Sequence, residues 1–226
     1  MSTEKIMEYI KKNLDTGKMA EAIEIAKMSG VEISSKELEE NINDYLIKGW
    51  MSKAVKGAEA AGVEIPGDVL ASYVDKYLEE GQIYSAVEAS KIIGVPLDRD
   101  KLVAVGRKCL IDGKLYAGVE AYGLAKEEPD AEEFAICGRK CFEVGELYIG
   151  LEACEKAGVA PSSDELVVCG EACLNNGKPV PGLEAYKMAN RVPSKEMLRE
   201  CGEMCLLEGQ RADSRLAFVA AQKIDE

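Results

Sequence analysis

Between Ser34 and Ile65 the apolar side chains fall into two helical runs parted by a glycine. Leu38, Ile42, Tyr45 and Leu46 recur at steps of three and four, which puts them on one face of a helix. Gly49 ends that run; Val55, Ala58 and Ala61 carry a second, and Gly62 closes it. Ser34 followed by Glu37 predicts a capping box at the start of the first helix, and Asp130/Glu133 and Ser162/Glu165 repeat it. Glycine suits the closing turns because it enters the left-handed conformation without steric cost. The segment therefore predicts an antiparallel hairpin of two helices, each of about 13 residues and about 20 Å. Helices of that length do not persist alone in water, so their stability must come from packing.

The same pattern recurs every 32 residues. Gly17, Gly49, Gly81, Gly113, Gly145, Gly177 and Gly209 mark the turn within each hairpin. A small residue follows each by five positions: Ala22, Ala54, Ala86, Gly118, Gly150, Gly182 and Ser214. Ile6, Leu38, Leu70, Leu102, Phe134, Leu166 and Leu198 precede the glycines by eleven. The units 2–33, 34–65, 66–97, 98–129, 130–161, 162–193 and 194–225 fill the chain. One repeat domain over 1–226 is expected, each unit stable only when stacked on its neighbours.

Within a unit the order is large apolar, small, aromatic, glycine, alanine, aromatic, alanine, and it resembles the tetratricopeptide (TPR) repeat. Leu102, Gly106, Cys109, Gly113, Gly118, Tyr122 and Ala125 hold these places in the fourth unit; Phe134, Gly138, Cys141, Gly145, Gly150, Cys154 and Ala157 hold them in the fifth. The period is 32 where that family's is about 34, and the first large residue is Leu rather than Trp. The Gly158-Val159-Ala160-Pro161 loop is similar to loops of pentatricopeptide RNA binders, whose second helix is longer and whose chains are basic. The TPR resemblance implies an all-α fold, a right-handed α-solenoid of seven helix-turn-helix hairpins and fourteen helices. It also implies that the first helix of each hairpin lines a concave groove that takes a peptide or helix of a partner protein.

Carried over by position, that groove has an apolar stripe, Leu46, Leu78, Leu110, Phe142, Leu174 and Leu206, and a polar one, Asn43, Asp75, Arg107, Arg139, Glu171 and Glu203. Arg107 and Arg139, with Lys108 and Lys140 beside them, make a basic centre flanked by acid. Two readings are open. The arginines hold an acidic group of the partner through bidentate bonds, or they form an internal ladder, Asp75–Arg107 and Arg139–Glu171, of little energetic weight. Asn43 matches a position of carboxylate-clamping TPR domains, but the Lys and Asn that support such a clamp do not follow.

The net charge of −13 argues against nucleic acid as the main ligand, since phosphate binding needs Lys and Arg. Acidity either keeps the protein soluble or steers a basic partner. No stretch approaches the 18 or so apolar residues of a membrane span, and a cytoplasmic protein is expected. Histidine is absent, which removes the commonest general base and metal ligand. No nucleophile–base pair or phosphate loop breaks the periodicity, so neither an enzyme nor a cofactor is expected.

All eight cysteines lie on repeat positions. Cys109, Cys141, Cys173 and Cys205 replace the aromatic seen as Tyr45 and Tyr77; Cys137, Cys169 and Cys201 sit four residues earlier, on the same helical face, and Cys154 lies on a second helix. Core packing is the plain reading. A thiol-based metal or redox module is the alternative, and an RNA-associated factor a more distant one. Tyr84, Tyr116 and Tyr148 form a ladder after the turn, either packing neighbouring turns or forming a ridge. In the last unit Arg215 replaces an aliphatic residue beside Leu216, Phe218 and Val219, so either a monomer or end-to-end self-association is expected.

Overall fold

The computed structural model describes residues 2–224. Among them are fourteen α-helices and no strand, and consecutive helices pair as hairpins, as a helical repeat requires. Their contacts divide the chain into two compact units, one ending at Leu102 and the other starting at Val103, where the period alone predicts a single domain. Unit 1 contains α1 (Thr3–Asp15), α2 (Met19–Ser29), α3 (Ser35–Ile47), α4 (Met51–Ala61), α5 (Gly67–Glu79) and α6 (Ile83–Ile93). α7 (Arg99–Ile111) starts in unit 1 and ends in unit 2. Unit 2 continues with α8 (Leu115–Ala125), α9 (Ala131–Glu143), α10 (Leu147–Ala157), α11 (Ser163–Asn175), α12 (Pro179–Met188), α13 (Lys195–Leu207) and α14 (Arg211–Lys223).

Each hairpin turn uses the helix's own unpaired end groups. After α9, the Gly145 N–H donates to the Phe142 carbonyl at 3.1 Å and the Glu146 N–H to the Cys141 carbonyl at 2.9 Å. This pair of bonds is a Schellman turn, which needs a left-handed residue. Gly145 supplies it at φ +75°, and a Cβ there would lie 2.9 Å from the Cys173 nitrogen. Helix starts follow the predicted caps: Asp130 and Ser162 form complete capping boxes with Glu133 and Glu165. The third box is only half made. The Ser34 side chain accepts from the Glu37 N–H at 3.2 Å, but the Glu37 carboxylate makes no return bond.

The two units pack differently. In unit 1 the second helices meet closely, α2 on α4 and α4 on α6; a Cβ on Gly57 of α4 would lie 3.1 Å from the Met19 sulfur of α2. The first helices are bridged by tyrosine: the Tyr45 hydroxyl donates to the Leu14 carbonyl and that of Tyr77 to the Leu46 carbonyl. In unit 2 the first helices themselves meet closely, α9 on α11 and α11 on α13. The bridging position there is Cys141, Cys173 or Cys205, and a thiol keeps helices less far apart than a phenol does.

A second exchange separates the units. Ile10, Ile42 and Val74 of unit 1 become Gly106, Gly138, Gly170 and Gly202, while Ala26, Ala58 and Ser90 become Tyr122, Cys154, Tyr186 and Phe218. The changes compensate. A Cβ on Gly106 would lie 2.7 Å from the Tyr122 ring, and one on Gly138 2.8 Å from the Cys154 sulfur. Hairpin cores in unit 1 thus pair a large residue on the first helix with a small one on the second, and unit 2 reverses the pairing. The period is blind to this reversal, which coincides with the division into units.

Candidate functional site

The apolar stripe expected of a groove is core. Leu78, Leu110, Phe142 and Leu174 are 0–1% exposed, and Leu46 is buried with them; Leu206 alone of that stripe is open. The physical reason lies in the small residue of the second helix. A Cβ on Gly118 would lie 2.6 Å from the Leu110 side chain, and one on Gly182 2.8 Å from that of Leu174. These positions therefore face their own hairpin partner and cannot touch a ligand.

Arg107 is engaged within the protein. Its Nε donates to Glu133 Oε1 at 2.6 Å. Glu133 also accepts the Tyr122 hydroxyl, 2.8 Å from both carboxylate oxygens, and the Asp130 N–H at 3.1 Å. Its side chain is 9% exposed while that of Arg107 is 61% exposed, so a buried carboxylate anchors a surface guanidinium. Burial alone would raise the Glu133 pKa; the bonds from Arg107, Tyr122 and Asp130 outweigh it and hold the carboxyl below its usual range. Asp75, expected to face Arg107, pairs with Lys101 of its own unit at 2.7 Å. Glu133 was legible as a helix cap, and only the fold reveals its second role.

Arg139 is exposed and forms no ion pair among the described residues, so the Arg139–Glu171 pair is likewise not made. Lys140 is exposed beside it and reaches Glu143 at 2.8 Å; Lys108 is exposed on α7. Three or four residues from these cations are Ala104 and Ile111 on α7 and Ile136 on α9, and Val168 holds the matching place on α11; of the four only Ile136 is half-buried. The apolar surface accompanying the basic centre is this row. The sequence carried a signal for it, since Ala104, Ile136 and Val168 keep the 32-residue step of the arginines.

All eight cysteines are buried and none is in a disulfide. Three of the four that stand in the tyrosine position donate to turn carbonyls of the preceding hairpin: Cys141 to Gly113 at 3.2 Å, Cys173 to Gly145 at 3.1 Å and Cys205 to Gly177 at 3.2 Å. Bonding to the neighbouring sulfur, together with burial, raises the Cys137 and Cys169 thiols well above their ordinary range, and burial pushes Cys201 up to about 12. Among the described residues no three His, Cys, Asp or Glu side chains are grouped so as to hold a metal ion.

Tyr84, Tyr116 and Tyr148 are 80%, 63% and 56% exposed, so their rings face solvent rather than pack into neighbouring turns. Two are tied down at the hydroxyl, Tyr116 to Glu152 at 2.9 Å and Tyr148 to Glu184 at 2.7 Å. On the last hairpin Arg215 is exposed, with Leu206, Leu207, Leu216 and Val219 open near it and Phe218 half-buried. No helix among the described residues is long and apolar enough to cross a membrane. No protein-family model matches the chain, and no curated protein matches it.

Proposed function

We propose that this protein is a non-enzymatic, TPR-like interaction scaffold that binds a segment of a partner protein on the solvent face of the first helices of unit 2. The partner segment carries an acidic group for Arg139, Lys140 and Lys108, next to apolar side chains that cover Ile136 and Val168. The observation that carries this reading is Arg139, an exposed guanidinium left without an internal carboxylate. Its register mate Arg107 spends Nε on Glu133, though its side chain stays largely exposed. The solvent face varies from unit to unit at the arginine position, from Asn43 and Asp75 through Arg107 and Arg139 to Glu171 and Glu203, as contact with a non-repeating ligand requires. The thiols favour the scaffold over a thiol-responsive module, because they are buried and used on core contacts and turn carbonyls.

The test is affinity capture with three proteins: wild type, Arg139→Glu/Lys140→Glu, and the control Lys187→Glu at an exposed position of α12. A partner held by wild type and control but lost by the double variant, with helicity unchanged, supports the site. Equal retention by all three removes it.

A further inference from the structure

A cleft of about 300 Å³ in unit 1 lies between α1, the 31–33 connection and the start of α3. Met7, Ile10, Val31 and Ile33 make its apolar walls, and Lys11 and Glu37 bring opposite charges to it. Three repeats along the chain, Lys11 corresponds to Arg107, Glu37 to Glu133 and Ala26 to Tyr122. In unit 2 those three residues form a closed network, with the Tyr122 hydroxyl 2.8 Å from both Glu133 oxygens and Arg107 Nε 2.6 Å from one of them. Unit 1 keeps the cation and the carboxylate but has alanine where the phenol belongs.

The carboxylate is also uncommitted. Glu133 and Glu165 each return a bond to the N-cap amide of their own helix; Glu37 does not. Among the described residues neither Glu37 nor Lys11 has an ion pair or a side-chain hydrogen bond. Ile10 stands where Gly106 leaves room for the Tyr122 ring, so a phenol cannot cross from α2 and has to enter from solvent.

We propose that this cleft is a socket for a tyrosine side chain of a partner protein. The ring lies against Met7, Ile10, Val31 and Ile33, and the hydroxyl donates to Glu37 beside Lys11, as Tyr122 donates to Glu133 beside Arg107. The rim adds Glu8 and Glu32, so three carboxylates face one lysine and the residues flanking the tyrosine are basic. The socket lies wholly in unit 1 and stands whether or not the arginine face of unit 2 binds a partner.

The probe is the tripeptide acetyl-Lys-Tyr-Lys-amide, titrated into protein labelled at methionine methyls, with the Met7 methyl followed by NMR. Saturable movement of Met7 is expected, with acetyl-Lys-Phe-Lys-amide binding about tenfold more weakly, since a hydrogen bond to a charged group is worth at least that factor. Glu37→Gln, an exposed change that leaves the fold intact by circular dichroism, brings the two peptides to within about threefold. Arg139→Glu/Lys140→Glu leaves the Met7 response unchanged. The proposal is overturned if Met7 does not move, if the two peptides bind wild type equally, or if the tyrosine preference survives in Glu37→Gln. It is also overturned if Met7 moves with protein concentration alone, which would make a second copy of the chain the occupant.

Discussion

The Cys173 thiol donates to the Gly145 carbonyl, 3.1 Å away, and so joins α11 to the turn that closes α9. Gly145 lies just past its helix, where carbonyls have no partner in the helical ladder. The thiol meets that need from the next hairpin. In unit 1 the hydroxyls of Tyr45 and Tyr77 serve the same end of the preceding first helix. One register position thus carries two chemistries, and the size of the donor decides how closely the first helices approach.

Cys173→Ala removes the donor and leaves a buried carbonyl unpaired. The expected loss is about 1–3 kcal/mol of unfolding free energy, read from a urea titration. Cys173→Ser restores a donor of nearly the same reach and is expected to lose less than alanine. Equal losses for the two variants would show that the bond contributes nothing beyond filled volume.

Gly138 and Cys154 are coupled through space. A Cβ at Gly138 would lie 2.8 Å from the Cys154 sulfur and 3.2 Å from the Gly150 carbonyl oxygen. Gly138→Ala is therefore expected to destabilise by about 1–3 kcal/mol through overpacking. Adding Cys154→Ala relieves the nearer contact and reproduces the pairing of a larger first-helix residue with alanine seen at Ile42/Ala58. A double-mutant cycle should give a favourable coupling of at least about 0.5 kcal/mol; additive losses would contradict the compensation described for the hairpin cores.

Burial first, then the charges of Asp15 and Asp44, push the Tyr45 hydroxyl up to about 12, and burial does the same at Tyr77. The unfolded chain ionises these groups near pH 10, before the folded one does. The stability that depends on the neutral phenols is therefore complete below about pH 10 and is lost as pH rises from there through about 12. Trp50, the only tryptophan, has its ring centre 6.1 Å from that of Tyr45 and reports on unit 1. Its emission is expected to change cooperatively within that window. Tyr45→Phe/Tyr77→Phe should move the change to higher pH while lowering stability at neutral pH. A transition unmoved by the double substitution would assign alkaline unfolding to other groups.

The hairpins were legible because their causes are local. The spacing of Leu38, Ile42, Tyr45 and Leu46 makes one apolar helix face, and Gly49 ends it by geometry that needs no distant partner. The division into two units was written in the sequence as well, in the exchange of Ile42/Ala58 for Gly138/Cys154. A search for constancy at fixed period passes over it, because both positions change between the units and neither marks the repeat.

The site was less legible. Leu110 and Phe142 recur beside the arginines, and the chain order alone does not say whether such a row faces solvent or its own hairpin. Packing against Gly118 and Gly150 settled the matter, and the solvent-side row passed to half-buried Ile136 and exposed Val168. Arg107 and Arg139 are alike in sequence. They differ because Tyr122 and Asp130 join Arg107 in fixing Glu133, whereas in the next hairpin Cys154 stands in the tyrosine's place and Glu165 turns back to Ser162.

The all-helical hairpins, their number and their turns follow from the order of residues, since helix periodicity, capping and left-handed glycines act over a few residues. Long-range packing settled which apolar rows are core, which arginine is spent on an internal carboxylate, and where Lys11 and Glu37 line a cleft that none of the described side chains fills. Those outcomes depend on how closely neighbouring helices approach, and that distance is set by residues a whole repeat or more apart.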